Sequence, residues 1–139
     1  MTEEIVDRIG IRSVANDRVD AMPTGQARLV ELGRALATKP RVLLLDEPAS
    51  GQDEQETEAF AHLLLDLASE GMAILMVEHD VALVMRVCSW IHVLDFGAIL
   101  AVGTPDEIQK NQAVLDAYLG AAAEEGSLER TELANLADG

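Results

Sequence analysis

Cysteine occurs only once in this 139-residue chain, at Cys88, so neither a disulfide framework nor a cysteine metal cluster can be built from it. A reducing, cytoplasmic setting fits that usage. Basic residues are also scarce. Ten Lys and Arg stand against 25 Asp and Glu, a formal charge of −15. Nucleic acids and anionic lipid surfaces are bound by neutralising their phosphates with Lys and Arg, so this balance excludes both as direct partners. No apolar run approaches the roughly 20 residues that cross a bilayer, and Met1-Thr2-Glu3-Glu4 is acidic where a secretory leader is basic. The expectation is a chain neither secreted nor membrane-spanning by itself. Lysine is the rarest charge: Lys39 precedes a proline, Lys110 precedes an asparagine, and neither lies in a glycine-rich loop. The phosphate-binding loop G-x-x-x-x-G-K-S/T is therefore absent. With it go the backbone N–H cradle, the neutralising lysine and the magnesium-binding hydroxyl.

What is present is apolar material: 49% of the residues are hydrophobic, enough for one core in a chain of this length. Thr2 to about Ile9 fits a short amphipathic helix, and Gly10 to Ala21 a polar connector. Leu29, Leu32 and Leu36 recur at helical spacing up to Thr38, where Pro40 closes the element. Val42-Leu43-Leu44-Leu45 is a continuous aliphatic run, predicted as a central parallel strand buried on both faces. Asp53 and Glu56 form a capping-box-like start, Phe60, Leu63, Leu64 and Leu67 supply a helical face, and Gly71 ends it. Ala73 to Val77 is a second buried strand. Residues 42–77 thus read as strand, helix, strand with parallel pairing, and the class is α/β. A helix from about Asp80 to Cys88 follows. Trp90–Leu94 and Ala98–Val102 then flank Asp95-Phe96-Gly97 as a hairpin, and Thr104-Pro105-Asp106-Glu107 starts another helix. The stretch 121–139 is rich in Ala and Glu and reads as an acidic tail without a function of its own. No internal repeat is present.

The segment richest in chemistry is Arg41-Val42-Leu43-Leu44-Leu45-Asp46-Glu47-Pro48. Two carboxylates at the C-terminal tip of a strand occupy the edge where α/β sheets bind ligands, and one can hold a cation while the other reaches a water. An isolated Asp-Glu pair also fits two acids merely leaving the core. Here, however, four aliphatics, Asp46-Glu47-Pro48, a small-residue loop and Asp53 follow one another, and together they resemble the Walker B motif and D-loop of ATP-binding-cassette (ABC) ATPases. Upstream, Met22-Pro23-Thr24-Gly25-Gln26 resembles the ABC signature, usually Leu-Ser-Gly-Gly-Gln. Met22, Pro23 and Thr24 depart from it, and the proline is closer to the Leu-Pro-Tyr-Gly-Gln variant of branched-chain amino-acid importers. The same pentapeptide also suits a plain Pro-Thr-Gly helix start. Downstream, Val77-Glu78-His79-Asp80 stands where the family places its switch histidine, whereas His62 and His92 read as structural or solvated. Asp95-Phe96-Gly97 matches the protein-kinase magnesium motif, but no kinase catalytic loop or lysine precedes it, and a hairpin turn is the better reading.

The resemblance covers roughly residues 10–120. It is strongest to the ATPases of branched-chain amino-acid or urea importers, through Glu78-His79-Asp80, Gly103-Thr104-Pro105 and Ala117-Tyr118-Leu119-Gly120, with the lipopolysaccharide-export ATPase a near relative. It implies a partial P-loop NTPase core of RecA-like type over residues 1–120, with parallel strands, flanking helices, and a C-terminal hairpin and helices. It also implies ATP and Mg²⁺ as cofactors. By the same resemblance, Glu47 is the general base, Asp46 a magnesium ligand through water and His79 a γ-phosphate sensor. Met22, Pro23, Thr24, Gly25 and Gln26 face the nucleotide of an opposite subunit, and Asp53 bridges the two sites. The implied partners are a second ABC ATPase subunit, transmembrane permease subunits and, indirectly, a periplasmic or extracellular substrate-binding protein. The implied location is peripheral, on the cytoplasmic face of the membrane. The adenine-stacking aromatic and glutamine loop that the family places before the signature are absent together with the P-loop. The expectation is a truncated or split reading frame, a sheet missing its P-loop strand, an exposed apolar edge, and either an ATPase fragment or a non-catalytic half-domain that pairs with another ATPase subunit.

Overall fold

The computed structural model describes residues 2–117, which divide into two compact units, the first extending to Val87 and the second beginning at Cys88. In the first unit, α1 (Thr2–Arg8) is followed by two short 3₁₀ turns, Arg12–Val14 and Val19–Ala21, and then by α2 (Thr24–Ala37). α1 and the residue after it approach α2 closely at Gly33, where a Cβ would lie 3.4 Å from Ile5 Cγ2 and 2.6 Å from Ile9 Cδ1. α2 stops because Lys39 takes a left-handed conformation, φ 53°, immediately before Pro40. β1 (Val42–Asp46), α3 (Glu54–Ser69) and β2 (Ala73–Val77) then form the expected strand-helix-strand unit, and α4 (Val81–Val87) closes it.

β1 and β2 pair in parallel, with Leu43 opposite Ile74 and Asp46 opposite Val77. Leu43, with Leu45, Ile74 and Met76, packs into one cluster with Leu32 and Leu36 of α2 and with Phe60, Leu63, Leu64 and Leu67 of α3. Burial on both faces of the strands, expected from their unbroken apolar runs, is not what the fold shows. Val42, Leu44, Leu75 and Val77 are 58–71% exposed. The helices of this unit contribute to a single cluster on one face of the sheet, and no described residue of the unit covers the other. The exposed apolar surface expected at a sheet edge therefore runs across a sheet face.

α3 starts as its sequence dictates. Asp53 accepts the Glu56 amide at 2.8 Å and Glu56 reaches back to the Asp53 amide at 3.0 Å, so two orphan donors of the first turn are satisfied reciprocally. On its exposed surface, Glu58 pairs with Arg86 of α4, and that guanidinium holds the Glu58 carboxyl below the usual range.

The second unit contains β3 (Ile91–Asp95) and β4 (Ala98–Gly103), an antiparallel hairpin, followed by α5 (Pro105–Gln109). Phe96 and Gly97 both have positive φ, 43° and 79°, as a tight two-residue turn requires. The hairpin expected around Asp95-Phe96-Gly97 is present, with Phe96-Gly97 as its turn and Asp95 as the last residue of β3, opposite Ala98. Thr104 and Glu107 form a full capping box, and the Thr104 amide draws the Glu107 carboxyl below its ordinary value. Cys88 follows the end of α4 rather than lying within it, and burial pushes its thiol up, away from reactive thiolate character. Among the described residues no helix is long and apolar enough to cross a membrane. The expected boundary at residue 120 and the tail 121–139 lie outside the described residues.

Candidate functional site

The candidate residues all belong to the first unit, and the parallel pairing of β1 with β2 brings the most important of them together. β1 ends at Asp46. Glu47 then leaves the strand with φ 45°, a left-handed conformation that costs a non-glycine residue about 1–2 kcal/mol. Its amide still donates to Val77 O at 2.9 Å, so the departure point of Glu47 is fixed against the end of β2. Two residues beyond Val77, His79 turns out into solvent. Its Nδ1 lies 3.7 Å from Glu47 Oε1 and 3.8 Å from Glu78 Oε2. The side chains of Glu47 and His79 are 54% and 78% exposed, so the pair faces an open surface rather than a closed cleft. A carboxylate and an imidazole at this separation leave room for a small reacting group to be contacted by both.

Asp46 is exposed at the strand tip beside Glu47. Among the described residues no group of three or more His, Cys, Asp or Glu could hold a metal ion. That donor set does not fit a protein-built metal cage. It does fit Mg²⁺, which keeps several waters and takes one or two carboxylates with the rest of its oxygen ligands from a phosphate.

The segment Met22 to Gln26 leads into α2. Pro23 caps the helix without a side-chain hydrogen bond, so the first amides of the helix receive no side-chain acceptor from the cap. Gly25 is buried against the loop that follows Glu47. A Cβ there would meet Gly51 O, Gln52 Cγ and Glu56 Oε2, all at 3.3 Å, while Gly51, at φ 79°, sits against the Thr24 side chain. Glycine at 25 and 51 therefore has a packing reason independent of any ligand. Met22 lines an apolar hollow with Ile5, Ile9, Val14 and Val30, and is not grouped with the carboxylates. Asp53 spends its side chain capping α3. Of the remaining histidines, His62 lies on exposed α3 beside Glu58 and Arg86, and His92 is exposed on β3.

One residue acquires a place that its sequence did not announce. Glu78 has a side chain only 1% exposed, and its carboxylate accepts backbone amides from Ala49, His79 and Asp80. An acid directly after an apolar strand is the available signal, but sequence does not say that its side chain is buried against the amides of two loops.

Two family models match the chain: one for the ABC transporter over residues 1–50, and one for the branched-chain amino acid ATP-binding cassette transporter over residues 98–124. The chain is 40% identical over 118 residues to the high-affinity branched-chain amino acid transport ATP-binding protein BraF of Pseudomonas aeruginosa, covering 84% of this chain and 46% of that protein. It is 31% identical to the lipopolysaccharide export system ATP-binding protein LptB of Haemophilus influenzae, covering 85% of this chain and 49% of that one. Among solved structures it is similar to an ATP-binding cassette of an ABC transporter in its ADP conformation, with 25% identity and a TM-score of 0.74, covering 86% of this chain and 48% of the other. The chain thus spans about half the length of the curated relatives it matches.

Proposed function

Because the chain belongs to the ABC transporter family of ATP-binding proteins, we propose that it supplies the hydrolytic half of a nucleotide site that energises import of branched-chain amino acids. The observation that carries this reading is the approach of Glu47 and His79 at the tips of two parallel strands. Glu47 takes the proton of the attacking water, and His79 hydrogen-bonds the γ-phosphate oxygen on which charge develops. Asp46 would hold Mg²⁺, and the ion would supply charge neutralisation. Gly25 and Gln26, at the uncapped start of α2, face the nucleotide of a second ATPase subunit, and Asp53 lies where the two sites meet. Transmembrane permease subunits and, through them, a substrate-binding protein complete the assembly at the cytoplasmic face of the membrane. A phosphate cradle is not among these 139 residues, so it must come from another segment or chain.

Phosphate release by this chain mixed or co-expressed with a polypeptide carrying G-x-x-x-x-G-K-S/T tests the reading. Turnover that appears only in the mixture and falls in Glu47→Gln supports it. A stable complex that neither binds MgATP nor turns it over overturns it. The bare face of Val42, Leu44, Leu75 and Val77 favours a second reading, a non-catalytic half-domain that pairs with another ATPase subunit, and a complex that binds MgATP without turnover selects that one.

A further inference from the structure

The Glu78 carboxylate lies between two loops. Oε1 accepts the amide of Ala49 at 2.9 Å, in the loop that follows Glu47. Oε2 accepts the amides of His79 at 3.1 Å and Asp80 at 3.4 Å, in the loop that follows β2. The side chain is 1% exposed, whereas the side chains of Glu47 and His79 on either side of it are largely in solvent. Burying a carboxylate is costly unless its oxygens are matched, and here both are matched by backbone donors. Asp80 has a different task, accepting the Leu83 amide at 3.0 Å to start α4. Among the described residues, the Glu78 bond to Ala49 is the one side-chain hydrogen bond that ties these two loops to each other.

We propose that Glu78 is the positioning residue of this site: its buried carboxylate fastens the loop after Glu47 to the loop bearing His79, and so fixes the separation of the two side chains. The catalytic consequence rests on the reading of Glu47 and His79 as the working pair; the fastening itself does not. The chemistry requires a carboxylate. An ionised carboxylate only accepts, and all three partners donate. Glutamine has the same shape but replaces one acceptor oxygen with an NH₂ group that faces either Ala49 N–H or the His79 and Asp80 amides, so one side of the link is lost. Aspartate is one methylene shorter and cannot reach both loops.

The test uses the full 139-residue chain and Glu78→Gln, with amide hydrogen exchange and proton-proton contacts between the His79 ring and the Glu47 side chain as readouts. In the wild type, the Ala49 amide is protected and the His79–Glu47 contacts are visible. In Glu78→Gln, exchange of the Ala49 amide, or of the His79 and Asp80 amides, rises about tenfold or more according to which side the glutamine NH₂ faces, and the contacts fade. The amides of Leu64 and Leu67 in α3 keep their protection, which separates loop release from unfolding. Once a phosphate-binding loop is supplied in trans, kcat falls in Glu78→Gln with KM for MgATP unchanged. Retention of protection at Ala49, His79 and Asp80 together with the His79–Glu47 contacts in Glu78→Gln overturns the proposal, as does the absence of Ala49 protection and of those contacts from the wild type. Loop release in a chain that shows no turnover with any P-loop partner removes the functional reading while leaving the fastening role established.

Discussion

Glu47 Oε1 and His79 Nδ1 stand 3.7 Å apart just beyond two strands that pair in parallel and end at the same level, Asp46 opposite Val77. In a site completed by a phosphate-binding loop, Glu47→Gln is expected to lower turnover by about 10²–10⁴-fold while ATP remains bound, since glutamine keeps the shape but cannot accept the proton of water. Steady-state phosphate release and retention of labelled ATP should separate. Unchanged turnover removes Glu47 from the mechanism.

His79→Ala is expected to impair hydrolysis more than nucleotide affinity, because a donor aimed at a developing charge matters most in the transition state. His62→Ala and His92→Ala serve as controls, one beside a surface ion pair and one exposed on the hairpin. If the three variants lose kcat alike, His79 has no special role.

The 139-residue chain alone is expected to bind MgATP no better than about millimolar, roughly −4 kcal/mol, with no hydrolysis above background. Phosphoryl transfer is catalysed mainly by positioning and charge stabilisation, and the cradle, lysine and hydroxyl that do most of this are not in the sequence. Calorimetric titration beside a phosphate-release assay decides the matter. Micromolar binding with turnover sensitive to Glu47→Gln would show a site completed in some other way.

Two leucines give a test of the bare sheet face. Leu67 is 1% exposed and Leu44 71% exposed. Leu67→Ala should cost about 2–5 kcal/mol of stability, whereas Leu44→Ala in the isolated chain should change it by no more than about 0.5 kcal/mol. Leu44→Lys should also reduce self-association, read by sedimentation. A large loss on Leu44→Ala would mean that the face is covered.

Asp53 is expected to show two separable effects. Asp53→Ala should destabilise α3 by about 1 kcal/mol through loss of the cap, while Asp53→Ser, also a good cap, should preserve it. If Asp53→Ser is as stable as wild type yet couples poorly to a second subunit, the carboxylate has a role beyond the cap. Equal behaviour of the serine variant and wild type in both assays assigns Asp53 to the cap alone.

The sequence by itself determined the local structure. Capping boxes at Asp53 and Thr104, the stop at Lys39-Pro40 and the turn at Phe96-Gly97 depend on neighbours within a few residues, and they lie where short-range chemistry put them. The ordered motifs from Met22 to His79 were also readable, because their spacing records the strand-helix-strand crossover. Tertiary structure alone decided three things. Aliphatic runs say that a strand is able to be buried, not what covers it, so the exposure of Val42, Leu44, Leu75 and Val77 appears only once every helix of the unit has packed on the other face. Gly25 reads as part of a binding motif, but its close approach to Gly51 and Gln52 follows from a loop distant in sequence. Glu78 reads from sequence only as a member of the Glu78-His79-Asp80 motif, yet parallel pairing places the Ala49 amide 2.9 Å from it, and a long-range donor that no local pattern encodes turns it into a buried link between two loops.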